Sequence, residues 1–425
     1  MKNNQIRSWY FYDFAASAFS TTVITVFLGP YLTSIAESSA INGKIDIFGI
    51  LINPASLFAY GVSISVLLQV FVLPYFSAIV DMTGKKKEAL TIFSTLGAFA
   101  TMSMYFLSDG MYLFGLFMLI ISNLSFGVSM VVYNSILNDI CESQDRDKVS
   151  SVGYAFGYIG GGILLLLNLI LYNFAGNDGS PISISHAIQI SLLSAGLWWF
   201  IFSIYPILIL KNKPTQNKVN HNKNKPLRNF FKTLKDLRNY PNTLVFLIAY
   251  LLYNDGVQAV ITFASQFGIH EIKLEESTLI VVILIVQFVA FFGAYFFNFL
   301  ANKIGSKETV LVTILVWIVG LLYAYFILQD STGFIILGIT VGFIMGGTQA
   351  LSRSIYSRLI PEGKEAEYFS IYEISERGTS WLGSLVFGLT LEFSNSYRNA
   401  ILSLLIFFIL GGITLLFYKS KTQTN

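Results

Sequence analysis

Residues 9–18 read WYFYDFAASA, and residues 250–259 read YLLYNDGVQA. Each stretch places an aspartate, Asp13 or Asp255, just after aromatic residues and early in a long apolar segment. A carboxylate inside a hydrocarbon layer is costly, so such a residue marks a functional position. Two of them at matching places in two halves of one chain point to a site built on an internal repeat.

The rest of the chain fits that setting. Of 425 residues, 54% are hydrophobic and 12% charged, with a mean hydropathy of +0.64. Soluble domains carry about 25% charged residues, so the composition describes a chain that crosses a membrane many times. A span needs about 20 mostly apolar residues. That rule yields twelve segments, at 9–35, 57–80, 88–107, 112–137, 150–173, 187–210, 243–267, 276–300, 308–328, 332–356, 367–391 and 397–418. The expected fold class is an all-α membrane protein. Its domains are an N-terminal bundle of six spans (1–210), a basic linker (211–242) and a C-terminal bundle of six (243–425). The linker is rich in Asn and Lys, and its part from Phe230 to Leu237 reads as a short amphipathic surface helix.

The net charge is only +3, so its placement matters more than its sum. With the N-terminus inside, 23 of the 27 Lys and Arg fall in cytoplasmic segments. Three (Lys44, Lys273 and Arg398) fall outside, and Arg377 falls within a span. Basic residues stay on the cytoplasmic side, so both termini are expected there. The N-terminus runs straight into the first apolar segment without a small-residue cleavage signature, so that segment is read as a retained span.

Two short loops repeat a pattern. Residues 77–90 read SAIVDMTGKKKEAL, and residues 298–311 read NFLANKIGSKETVL. Both carry a polar residue, a glycine three positions on, and then lysine: Asp81, Gly84 and Lys85 in the first, Asn302, Gly305 and Lys307 in the second. Glycine permits the tight reversal, and the carboxylate can meet a helix N-terminus. The pattern resembles the G-x-x-x-D-x-x-G-R/K loop of the major facilitator superfamily, with Ser77 in place of the first glycine and Asn302 in place of the second acid. Longer blocks carry a narrower resemblance. WYFYDFAASAFSTTV, DRDKVSSVGYAFGYIGGG (145–162), FLIAYLLYNDGVQAV (246–260), GGTQALSRSIYSRLIPEGKEAEYFSIYEI (346–374) and TSWLGSLVFG (379–388) look like the UMF1 family of bacterial facilitators, whose distant relatives are fungal vacuolar Atg22-type amino-acid effluxers. The resemblance implies two pseudo-symmetric six-helix bundles, alternating access and a bacterial inner membrane. The Atg22 relation leans toward amino acids as cargo.

The candidate substrate or proton site centres on Asp255, about 12 residues into its span, hence ~18 Å deep and near the midplane. Tyr253, Asn254 and Gln258 make its neighbourhood polar. Asp13, beside Tyr12, reads as shallower, with Trp9, Tyr10 and Tyr12 forming an interfacial belt, and suits a gate or an interfacial group. Glu373, Glu376 and Arg377 form a third group. Arg377 is one helical turn beyond Glu373 and can pair with it, or can bind a carboxylate in a two-pronged way. Candidate gating residues are Asp81, Gly84 and Lys85, together with Asn134, Gln349 and Arg353. Arg353 could instead snorkel to the surface. The glycine stripes 153/157/161 and 338/342/346, including Gly157 and Gly161, suit helices that approach closely and rock. The stretch 141–151 (CESQDRDKVSS) can form ion pairs with basic loops in one conformation.

Some chemistries find no residues here. A single cysteine, Cys141, and three scattered histidines offer no zinc ligand set. No P-loop and no HExxH or GxSxG motif occurs, so neither a cofactor nor an enzyme is expected. The linker lacks the interleaved aromatics of a nucleic-acid binder. The expected partners are a small-molecule solute, the lipid bilayer and a coupling proton, with a monomer as the default. Open alternatives are a transporter of a hydrophobic or lipid-like solute and a permease-like sensor that no longer transports.

Overall fold

The computed structural model describes residues 2–47, 49–177, 179–213, 233–377, 380–394 and 396–419. Most of the chain is helical. Helix α1 (Lys2–Ala18) runs through a π-helical stretch, Phe19–Phe27, into α2 (Leu28–Ser38). Six consecutive β-branched residues, 21–26, occupy that stretch. They crowd the preceding turn, and Thr25 Oγ1 bonds back five residues to the Ser20 carbonyl at 2.9 Å. A small antiparallel hairpin follows, β1 (Ile45–Ile47) and β2 (Ile50–Ile52). Then come α3 (Leu57–Thr83), α4 (Lys86–Ser103), α5 (Tyr112–Ile140), α6 (Arg146–Ala175) and α7 (Ile184–Ile209). Beyond the linker come α8 (Pro241–His270), α9 (Glu276–Ile304), α10 (Ser306–Phe326), α11 (Ser331–Ser357), α12 (Glu365–Arg377), α13 (Ser380–Ser394), α14 (Tyr397–Ser403) and α15 (Leu405–Leu416).

Eleven helices among the described residues are long and apolar enough to cross a membrane. The segment expected to be one span at 367–391 contains α12 and α13, described on either side of residues 378–379, which lie outside the described set. Only its second part, Leu382–Leu391, is strongly apolar. Most of the linker, 214–232, also lies outside the described residues. Of the surface helix read at 230–237, residues 233–236 are helical, and Thr233 and Leu237 are buried rather than displayed. The Thr233 hydroxyl donates to the carboxylate of buried Glu367 at 2.6 Å.

The chain forms two compact units. One comprises Met1–Tyr133 with Phe156–Gln216, the other Asn134–Ala155 with Asn217–Asn425. Corresponding helices pair within each. In the first unit α7 packs on α1 and α4, and in the second α15 packs on α8 and α10. Both repeated loops reverse on a glycine with positive φ, Gly84 at 68° and Gly305 at 99°. Their amides close onto the Val80 and Ala301 carbonyls at 2.8 and 2.9 Å. Asp81 is buried, Lys85 exposed and Asn302 exposed, so the two loops share a positive-φ glycine and its closing amide bond, while ψ differs, 10° at Gly84 and 153° at Gly305.

The glycine stripes are packing surfaces. Gly157 and Gly161 face Ser17 and Thr21 of the first helix, and Gly342 faces the Val286 backbone of α9. The tightest approach on α6 is at Gly160, off the stripe, where an added Cβ would run into the Phe14 backbone, 2.8 Å from its Cα. By contrast Gly388 on α13 has nothing within 4 Å of such a Cβ. Gly160→Ala is therefore expected to destabilise by about 1–3 kcal/mol through overpacking. Gly388→Ala should be neutral or stabilising by up to ~1 kcal/mol. Thermal melts of the two purified variants check this, and equal melting temperatures would contradict it.

Candidate functional site

The predicted carboxylates are both buried. Asp255 on α8 is 1% exposed. Its Oδ2 accepts from the Gly383 amide of α13 at 2.7 Å, which ties α8 to that helix. Its Oδ1 is buried and has no hydrogen-bond partner among the described residues. Next to it Asn254 donates toward the Glu376 carbonyl at 3.4 Å. The Tyr253 hydroxyl shares a 2.6 Å hydrogen bond with Ser352, while Gln258 is half-buried. Glu376 thus joins the Asp255 neighbourhood through its backbone. Arg377 closes α12, and its side chain lies outside the described residues, as does any pairing with Glu373.

Trp9 and Tyr12 are fully buried in the protein, and Asp13 is 5% exposed. The helix starts at residue 2, so Asp13 lies ~16 Å along it, and Asp255 ~21 Å along its own, at 1.5 Å per residue. The Tyr133 hydroxyl donates to Asp13 Oδ2 at 3.1 Å. Trp9 stacks on Tyr133 with centroids 4.3 Å apart, and its indole N–H donates to the Tyr133 carbonyl at 2.9 Å. Tyr12 packs on the same ring. Gly157 leaves room beside the carboxylate, since a Cβ there would come 3.0 Å from Asp13 Oδ1.

A third polar group lies within the second unit, where 134–155 folds with α11 and α12. Arg353 has no exposed surface, so it does not snorkel. Its Nε donates to Ser150 Oγ at 2.9 Å and its Nη2 to the Ser150 carbonyl at 2.8 Å. Its Nη1 donates to Asn134 Oδ1 at 3.2 Å. The guanidinium also lies 4.0 Å from the Tyr154 ring centroid. The same Asn134 amide donates to Glu373 Oε1 at 2.7 Å, so one side chain bridges a buried cation and a buried carboxylate. Gln349, one turn before Arg353, is half-buried. Toward the end of α11, Asp147 pairs with Arg358 at 2.7 Å and accepts from Ser306 at 2.6 Å. Asn138 and Arg146 both donate to the Ser357 carbonyl, at 3.1 and 2.7 Å. The ion pairing read for 141–151 is thus present. Ser150, Tyr154, Ser352 and Gly383 do not stand out in the sequence, because a serine, tyrosine or glycine in an apolar helix looks like packing until its partner is seen. Among the described residues no three His, Cys, Asp or Glu side chains come together as a metal site.

Solved structures share this architecture. The proton:xylose symporter XylE aligns over 98% of this chain and 96% of its own with a TM-score of 0.76 at 10% identity. FucP in its outward conformation aligns over 98% of both chains with a TM-score of 0.72 at 13% identity. The fold is that of the major facilitator superfamily. Within it, residues 1–424 match the vacuole effluxer Atg22-like family, to which the chain belongs. It is 28% identical over 421 residues to an uncharacterised MFS-type transporter, YxiO, of Bacillus subtilis, covering 99% of this chain and 96% of that one. It is 27% identical to autophagy-related protein 22 of Kluyveromyces lactis, over 96% and 91% of the two.

Proposed function

We propose that the protein is a secondary transporter that moves a small polar solute by alternating access, with amino acids as the first class to test and a proton as the coupling ion. It acts as a carrier, without catalysis, in a bacterial inner membrane with both termini in the cytoplasm. Its halves, 1–210 and 243–425, rock as two six-span bundles joined by the linker 211–242. The observation that carries this reading is Asp255: one carboxylate oxygen is held by the Gly383 amide and the other is buried without a partner among the described residues. An oxygen in that condition can take a donor group of a solute, or a proton. Tyr253, Asn254, Gln258 and Glu376 supply further polar contacts around it, and Asp13 with Tyr12 is the counterpart in the other half. Glu373 and Arg377 complete the set on α12. The bonds of Asn134 and Arg353 serve as a gate that opens and closes once per cycle, with Gln349 beside them. The turn at Asp81, Gly84 and Lys85 and the close contacts at Gly157 and Gly161 let the helices move as stiff rods. Buried charge at this density weighs against a lipid-like cargo.

A melting-temperature screen of purified protein against polar metabolites tests the proposal. A solute at 100 times its Kd stabilises the folded state by about 2.7 kcal/mol. One polar class is expected to raise the melting temperature of the wild type and not of Asp255→Asn. Equal responses of the two proteins, or none to any polar solute, would overturn the assignment.

A further inference from the structure

Helix α8 meets α12 and α13 along one seam, and the contacts rise in step. Tyr250 stacks on Tyr372 with centroids 4.3 Å apart. One turn on, Asn254 reaches the Glu376 carbonyl at 3.4 Å, and Asp255 accepts from the Gly383 amide. Two turns further, Phe263 lies on Phe387 with centroids 3.9 Å apart and the ring planes 3° from parallel. At 1.5 Å per residue, Tyr250 stands ~8 Å before Asp255 and Phe263 ~12 Å beyond it. The polar layer is therefore bounded by an aromatic rung on each side.

The two rungs differ in thickness. Around Tyr250 and Tyr372 the stack continues, with Phe246 on Tyr250 at 6.3 Å and Tyr356 on Tyr372 at 5.1 Å. The Phe263–Phe387 rung is a single pair among the described residues. Between it and Asp255, the residue of α8 on the same face is Ala259, whose Cβ would lie 2.7 Å from a Cβ added at Gly383. The seam is closed there by backbone proximity, with no large side chain. Among the described positions of α13 only Gly383 and Phe387 are buried, one turn apart. Phe387 is 1% exposed, whereas Leu385 and Leu389 beside it are 47% and 42% exposed. The carboxylate bond and the phenylalanine pair are thus what hold α13 against this part of α8.

We propose, on the reading of Asp255 as the transport carboxylate, that the Phe263–Phe387 pair is the closure of its site toward the His270 end of α8. Stacked, the two rings exclude water from the free carboxylate oxygen on that side. They part when the carboxylate exchanges its bound group with the solution there. The thicker tyrosine stack stays shut while they do.

A water-soluble carbodiimide with glycine ethyl ester tests this on the full-length protein and needs no solute. The carboxyl oxygen adds to the carbodiimide carbon while the acid proton passes to its nitrogen. The amine then displaces the urea and leaves an amide, which peptide mass spectrometry reads at Asp255. At one fixed pH, Phe263→Ala and Phe387→Ala should each be modified at Asp255 several-fold faster than the wild type. Phe263→Leu, which keeps an apolar filler, should stay close to the wild-type rate. Buried Glu367, at the far end of α12, is the internal control and should not change. Equal rates at Asp255 in wild type and alanine variants would overturn the closure, as would a rise at Glu367 in step with Asp255, which marks general loosening. Phe263 is half-buried, so its alanine variant decides the matter if Phe387→Ala does not fold. A polar-solute screen without a hit would overturn the transport reading and leave the carbodiimide result on this pair standing.

Discussion

Arg353→Met should lower stability by about 3–5 kcal/mol, the cost of breaking a buried, hydrogen-bonded charge network by removing one member. Methionine keeps roughly the volume of the side chain but none of its donors. Ser150 loses two bonds and Asn134 loses one, all in a place without exposed surface. Asn134 is then free to turn, which also weakens its hold on Glu373. The loss is read as a fall in melting temperature. Asp147→Ala supplies the internal scale. Its ion pair with Arg358 is partly exposed, at 10% and 25%, and its carboxylate also accepts from Ser306, so its loss should cost about 1–3 kcal/mol. The native Cys141, at the end of α5, reports the same event locally, since maleimide labelling should speed up in Arg353→Met as 134–155 loosens. Arg353→Lys should recover only part of the loss, because an ammonium cannot span Ser150 and Asn134 in one plane. A Met variant that melts with the wild type would remove the gate from the proposed cycle.

Asp255→Asn should leave the fold nearly intact and stop transport. The amide oxygen can still accept from Gly383, so the tie between α8 and α13 is kept, and the melting temperature should change little. What disappears is the charge and the capacity to carry a proton. Transport by proteoliposomes is expected to fall at least about tenfold, equivalent to ~1.4 kcal/mol in the barrier, and the remaining rate should no longer follow pH. Asp255→Leu separates the structural part. It removes the acceptor of the buried Gly383 amide, at a cost of about 1–3 kcal/mol. If Asp255→Asn transports with the wild-type pH profile while Asp255→Leu unfolds, the carboxylate is a pin between two helices and the solute site lies elsewhere.

Much of the fold was legible because a membrane makes hydropathy and basic-residue placement unusually informative. Spans could be bounded and the two halves matched from the loops around Gly84 and Gly305, since a reversal at that point requires a residue that tolerates positive φ. The aspartates were legible for the same reason: few acids occur in such surroundings. Helix ends were less legible. Counting apolar residues starts the first span at residue 9, whereas the helix already runs from residue 2 through KNNQIRS. Partners were not legible at all. Nothing in the local sequence says that Arg353 will find Ser150 and Asn134, more than 200 positions away. Hydropathy also averages the polar stretch EAEYFSIYEISER with the apolar run that follows. Glu367, Ser370 and Glu373 are buried in spite of that polarity, within a protein interior rather than in lipid.

The grouping of 134–155 with the second unit bears on biosynthesis. Ser150 leaves the ribosome 203 residues ahead of Arg353. At about 5–20 residues per second, that interval is on the order of 10–40 s. Throughout it, Ser150 lacks its Ala350 and Arg353 partners, and the first half of the chain cannot reach its final state alone. Insertion of this protein is therefore a process completed from the C-terminal side, in which late helices mature the early ones, and a nascent chain stalled before α11 presents unpaired buried groups to the cell's membrane quality control.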